Sequence, residues 1–411
     1  MPITENIHTT VQHQLAGCQR GLSLSKLATH GYNKSAQQLH TATTDLATHF
    51  TTKVSKVRQS TAAAAPPVIH ERPSETLSTL QPVTAEEVVK LLAKAPTKHC
   101  RLDPIPTWLI KRAAMQFAPI LATMCNATFS AGGLPTSQKH ALVSARLKKP
   151  TLDPADTNSY RPISQLSFVS KLVERAVAKR FVQHCTENNL LPARQSAYRQ
   201  HFSTETALLI VYNDIVRAVD RGELVSLVLL DLSSAFDTVD HGCLLSVLER
   251  RFRVDEDALD WFRSYLSNRS QTYTAGDESY GPLPVDCSVP QGSVLGPIEF
   301  IAYTEDVTEL IAVHDVNHHL FADDTQLYTA VQLRPIDIEV CAGRQRLVSC
   351  VSDLQEWCAS RRLQLNPSKT ELIWLGSRAS LKKLSTADCT LVVGSTVIQP
   401  STCSPQSRSS V

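Results

Sequence analysis

Leu320-Phe321-Ala322-Asp323-Asp324-Thr325-Gln326-Leu327-Tyr328 reads as strand, tight acidic turn and strand, with side chains alternating along both arms. Two adjacent carboxylates at the tip of an apolar hairpin repel one another. At about 4 Å and an effective dielectric of roughly 20 that repulsion is on the order of 4 kcal/mol. A fold relieves it by solvating the tip, by protonating one acid, or by binding a divalent cation. Asp is also an ordinary turn residue, so by itself the hairpin implies only a solvated turn. Its meaning depends on what the rest of the chain brings to it.

Upstream, residues 224–230 form an almost purely apolar run that ends in Asp231. That is the pattern of a buried strand delivering a carboxylate at its C-terminal end. Two helices are expected next, marked by Leu244, Leu248 and Phe252 and then by Leu259, Phe262, Tyr265 and Leu266. Strand-like, turn-rich sequence from Thr272 leads to Val289-Pro290-Gln291-Gly292-Ser293, and Pro297 opens a helix expected to end near Ile311. Beyond the hairpin, Leu347, Val351, Leu354 and Trp357 describe an amphipathic helix, and Leu372 and Trp374 a short strand after Lys369. Nearer the start, Thr84 and Glu87 form a capping-box signature for a helix lined by Val88, Leu91, Leu92 and Ala95. Residues 142–149 read as a strand with Lys148 and Lys149 at its end, followed by a polar loop and Arg161-Pro162-Ile163. Helices alternating with strands predict an α+β fold, a sheet layered with helices.

Residues 1–80 are rich in Thr, Ser, Gln, His and Ala and carry only a weak helical stripe before Ala62-Ala63-Ala64-Ala65-Pro66-Pro67. They are expected to be a polar, largely disordered linker. Residues 81–130 are expected to be a helical extension, 131–380 the main domain, and 381–411 a truncated or irregular tail. Net charge is only +2, which announces no polyanion binder, but its distribution is uneven. Residues 139–199 hold eleven Lys and Arg against four acids; residues 301–324 hold six acids and neither Lys nor Arg. A basic and an acidic segment in one chain suit a polyanion track beside a metal site, as they do two solvated faces. The eleven cysteines are scattered singly, with no Cys-x-x-Cys spacing, which points to reduced thiols inside a cell. No apolar run nears the roughly 18 residues of a membrane span, so an intracellular protein of nucleus or cytoplasm without a membrane partner is expected. His318-His319 lack a third partner for a metal and read as structural.

If the strand ending in Asp231 and the hairpin are neighbours, three carboxylates converge at one sheet edge. Such hard oxygen donors suit Mg²⁺. Two ions about 3.5–4 Å apart clamp the attacking and leaving oxygens of a phosphoryl displacement. Lys148, Lys149 and Arg161 are the candidate phosphate-holding cations.

Over residues 84–376 the sequence resembles the reverse transcriptases of non-LTR, LINE-type retrotransposons, particularly the Jockey-like group. Ser159-Tyr160-Arg161-Pro162-Ile163-Ser164 is similar to their fingers motif and Leu230-Asp231-Leu232-Ser233-Ser234-Ala235-Phe236-Asp237 to their first palm motif. Val289 to Pro297 is similar to the second palm motif, Phe321-Ala322-Asp323-Asp324 to the aromatic-Ala-Asp-Asp motif, and Asn366-Pro367-Ser368-Lys369-Thr370 to the one after it. One Asp-Asp pair is a weak signal; five blocks in the family's order are a specific one. The resemblance implies a right-hand fold with fingers and palm, acting as an RNA-directed DNA polymerase on an RNA template, a DNA primer and dNTPs.

Carried over position by position, the resemblance implies that Asp231, Asp323 and Asp324 are catalytic. Asp231, Asp323 and the Leu232 carbonyl would bind two Mg²⁺ ions, with Mn²⁺ able to substitute. Arg161 and Lys149 would hold the triphosphate, and Gln291 and Gly292 would shape the nucleotide pocket. Phe236 would sit under the sugar and exclude a 2′-hydroxyl, and Lys369 would donate a proton to pyrophosphate. Glu299 and Glu305 depart from the family's apolar or Asn pattern. After Val397 the sequence leaves the family's path toward a thumb, so the thumb is expected to be missing. Two rival readings follow: a non-catalytic RNA-binding or inert remnant, and an RNA-directed RNA polymerase, against which Phe236 argues.

Overall fold

The computed structural model describes residues 36–98, 100–332, 336–384 and 389–401. Two four-stranded sheets organise it. The first runs β6-β7-β3-β8 and is antiparallel throughout, built from β3 (Leu224–Leu230), β6 (Asn317–Phe321), β7 (Asp324–Val331) and β8 (Glu371–Leu375). The second runs β2-β1-β4-β5, from β1 (His140–Leu147), β2 (Tyr160–Gln165), β4 (Arg269–Ala275) and β5 (Glu278–Val285). It is mixed, because β1 pairs with β4 in parallel. The fold is α+β, as the alternation of patterns predicts.

β3 is buried at every position. Leu224, Val228 and Leu230 face the main core, which the helices Phe168–Glu187, His241–Arg251, Glu256–Leu266, Gly296–Tyr303 and Ile336–Ser360 build. Val225, Leu227 and Leu229 face a second cluster formed with Val211, Ile215 and Ala218 of helix Thr204–Asp220. A strand covered on both faces needs no polar alternation, which is why this run is unbroken. Each fully buried Leu or Val contributes about 1.5–3 kcal/mol. Among the described residues no helix is long and apolar enough to cross a membrane.

The N-terminal expectation needs correction. Residues 36–80 are not a disordered linker; residues 1–35 lie outside the described part. Helix Ala36–Ser60 buries Leu46, Ala47 and Phe50 against Val143, Ala145, Leu147, Tyr160 and Tyr273 of the mixed sheet. The chain after it is tied down by backbone hydrogen bonds: Arg72 N–H donates to the Arg250 carbonyl and Leu77 N–H to that of Arg253. The weak helical stripe read in the sequence is the buried face, and its partners lie about a hundred to two hundred residues downstream. The C-terminal expectation changes as well. Residues 391–398 form the hairpin β9 (Leu391–Val393) and β10 (Thr396–Ile398), with Leu391 and Val393 buried in the main core. The helix opened by Pro297 ends at Tyr303, and a second helix spans Val307–Val313. Between them Glu305 and Asp306 pair with Arg251 and Arg361.

Glu299 lies in the core of helix Gly296–Tyr303 with neither carboxylate oxygen hydrogen-bonded. Burial, reinforced by the nearby Glu174, pushes its carboxyl from 4.5 up to about 8. The fold therefore prefers the neutral acid. The stability this allows is complete below about 4.5 and is lost as pH rises through 8. Glu299→Gln should weaken that dependence: its melting temperature should fall less from pH 5 to 8 than that of the wild type. Parallel melting curves across this range would discount the buried acid.

Candidate active site

The register of β3 against β7 builds the site. Leu230 pairs with Thr325, so one further step along both strands sets Asp231 against Asp324. β6 closes onto β7 with Phe321 opposite Asp324, leaving Ala322-Asp323 as a two-residue turn. Asp231, Asp323 and Asp324 thus line one cavity of about 460 Å³. Burial, then the neighbouring acids, push Asp324 up to about 7; burial and Asp231 also raise Asp323. The counter-charge is Lys369, whose Nζ lies 2.8 Å from Asp231 Oδ2. Its segment is brought there by backbone pairing: Leu232 bridges Leu365, and Asn366 N–H donates to the Asp231 carbonyl at 2.8 Å.

Leu232, Phe236, Gln291, Gly292, Arg161 and Lys369 line the same cavity. Phe236 is stacked on Phe300, with centroids 4.4 Å apart and planes at 21°. Gln291 Nε2 donates to Asp237 Oδ1 at 2.9 Å, and its carbonyl accepts Ser164 N–H at 2.7 Å, joining the 289–293 loop to β2. Gly292 sits at φ +120°, where a Cβ would come within 2.4 Å of the Ser164 carbonyl oxygen. Only glycine fits there. Beneath the loop the buried Glu174 carboxylate accepts Val294 N–H at 2.5 Å and Leu295 N–H at 3.2 Å. Burial still raises its pKa.

Lys149 is not brought in; it is exposed beyond the end of β1. Lys148 takes its place on the cavity wall. Its Nζ donates to the Asn158 carbonyl at 2.7 Å, and burial with nearby cations lowers it to about 8. His319 is buried with Nε2 2.9 Å from Ser196 Oγ, away from the acids, and burial lowers it to about 4. Among the described residues no three His, Cys, Asp or Glu side chains close into a preformed ion cage. The acids share a cavity; after burial, the Asp231 charge raises the proton affinity of Asp323, and Asp323 and Asp231 raise that of Asp324, which is the imbalance a divalent cation relieves.

A family model described as reverse transcriptase (RNA-dependent DNA polymerase) matches residues 147–394. The chain belongs to the reverse transcriptase family. It is 29% identical over 306 residues to the probable RNA-directed DNA polymerase from transposon BS of Drosophila melanogaster, covering 73% of this chain and 33% of that protein. It is 27% identical over 317 residues to the RNA-directed DNA polymerase from mobile element jockey of the same species, covering 75% and 33%. The jockey enzyme of Drosophila funebris is 27% identical over 294 residues, covering 70% and 31%. These relatives agree with the Jockey-like resemblance carried by the ordered motifs. The chain spans about a third of the length of the curated relatives it matches.

In this member of the family the acidic turn depends on a residue that sequence patterns missed. Ala322 sits at φ +57°, a left-handed conformation that costs a non-glycine residue about 1 kcal/mol. Gln195 holds it there. Its Oε1 accepts Ala322 N–H at 3.1 Å and Ala197 N–H at 2.9 Å, while Nε2 reaches the Ala322 carbonyl at 3.4 Å. Gln195 is 1% exposed, and the chain around it pairs with β6 through Leu320. A lone Gln in a polar stretch gives no sequence signal for such a role. Gln195→Ala should cost about 1–3 kcal/mol in thermal unfolding, because it orphans buried donors. Ala322→Gly should recover part of that loss. Strict additivity in this double-mutant cycle would argue against the clamp.

Proposed function

We propose that this chain catalyses RNA-directed DNA synthesis, adding dNTPs to a DNA primer 3′-hydroxyl on an RNA template. The antiparallel sheet would serve as the palm and the mixed sheet as the fingers. The observation that carries the reading is the β3–β7 register, which brings Asp231, Asp323 and Asp324 to a cavity shared with Arg161 and Lys148. The donor set fits hard divalent cations: oxygen ligands only, mutually repelling, with a lysine standing in as counter-ion. Asp231, Asp323 and the Leu232 carbonyl would hold two Mg²⁺ ions, or Mn²⁺ in their place, which when bound supply an activated primer hydroxyl and charge neutralisation at the phosphates.

The protein's own groups do the positioning. Arg161 and Lys148 would grip the triphosphate so that the α-phosphorus lies in line with the primer oxygen. Phe236, fixed on Phe300, would support the sugar and leave no room for a 2′-hydroxyl. Gln291 and Gly292 would present loop backbone to the paired bases. As the primer O–P bond forms and the α–β bridge breaks, Lys369 would deliver a proton to the departing pyrophosphate.

On a primed RNA template with Mg²⁺, Asp323→Asn should lower dNTP incorporation by about 100-fold or more. Equal incorporation by wild type and variant would refute the site. Phe236→Ala should raise rNTP use relative to dNTP use by about tenfold. An unchanged ratio would remove Phe236 from sugar selection.

A further inference from the structure

Helix Ala36–Ser60 lies outside the span 147–394 that the family model matches, yet it reaches the acid cavity. Positions i, i+3, i+4 and i+7 share one face of a helix. From Phe50 these are Lys53, Val54 and Val57. Phe50 is buried and stacked on Tyr273, with centroids 6.1 Å apart and planes at 19°. At the other end of this face Val57 is buried and Arg58 pairs with Asp240 at 3.0 Å, while Arg362 donates to the Thr61 carbonyl. Lys53 lies between these anchors, half-buried, and lines the cavity together with Lys148, Arg161 and the three acids. Lys56, three residues further along the helix, is exposed.

Among the described residues Lys53 has no ion-pair or hydrogen-bond partner. Its charge is nevertheless felt inside: it contributes to lowering Lys148, after burial, and it opposes the rise at Asp237. Three cations around one cavity repel one another. A polyanion turns that repulsion into binding.

We propose that Lys53 is a phosphate-binding residue of the nucleotide pocket, gripping the triphosphate of the incoming nucleotide with Lys148 and Arg161, so that helix Ala36–Ser60 forms a wall of the active site. This rests on the function proposed above. A phosphate of the template backbone presents the same chemistry, and the two sources separate experimentally.

The test uses the full chain, Lys53→Ala and Lys53→Arg. dTTP binding is measured with Mg²⁺ and without primer, single-stranded RNA binding is measured separately, and dTTP kinetics are measured on a primed template. Lys53→Ala should weaken dTTP binding and raise KM by about tenfold, with kcat within about twofold and RNA affinity unchanged. Lys53→Arg should recover most of the loss. Unaltered dTTP binding in Lys53→Ala would overturn the proposal, as would lost RNA affinity with dTTP binding intact, or a wild type that binds no dTTP. Asp323→Asn, run alongside, reports on the reaction itself. Lys53-dependent dTTP binding in a chain that incorporates nothing would uphold the phosphate site and remove the polymerase reading.

Discussion

The structure depends on one pairing register, Leu230 of β3 opposite Thr325 of β7. About ninety residues separate the two strands, so no turn can set it. Burial sets it. The even-numbered apolar residues of β3 belong to one core and the odd-numbered ones to another, and a slip of one residue would exchange the two sets. The packing that makes β3 the most apolar stretch of the chain therefore also decides where Asp231 emerges. The acids are exact passengers of a hydrophobic choice.

Around that edge the charges are arranged at a cost. The half-buried carboxylates of Asp323 and Asp324 and the fully buried ones of Glu174 and Glu299 all have raised proton affinity, and each has burial as its largest cause. Their compensations differ. Lys369 answers the Asp231 charge, two backbone N–H groups answer Glu174, and Glu299 has only the charge of Arg269, with no hydrogen bond to either oxygen. The Glu174 arrangement has a structural return, because it fastens the loop whose Gly292 lies against β2. Glu299 has no such return in the structure.

Much of this was legible in the residues. The unbroken run ending at Asp231 and the hairpin around the acidic turn appear as read, the first because the strand is buried on both faces. The ordered motifs brought Arg161, Phe236, Gln291 and Lys369 to the cavity. What could not be read depends on parity or on distant partners. Lys148 and Lys149 are chemically alike, and only the end of β1 at Leu147 decides which turns inward. Gln195 acts on a turn 127 residues away. The stripe of the helix at 36–60 is legible, but not the distant sheet that buries it, and the hairpin at 391–398 is held by a core supplied by the long helix Ile336–Ser360.

Helix Ala36–Ser60 is fastened to the mixed sheet by the Phe50–Tyr273 stack and to the segment after β3 by the Arg58–Asp240 pair. Eight residues of α-helix separate the two fastenings, about 12 Å of rise. The helix is thus a spacer of fixed length, and the gap between the two sheets on that side is gauged by hydrogen-bonded backbone rather than by a loop. Its length is also its phase: one residue inserted between Phe50 and Arg58 would swing the second fastening by about 100°. The aperture of the cleft is in this sense counted in residues, in a part of the chain whose composition looks indifferent to sequence.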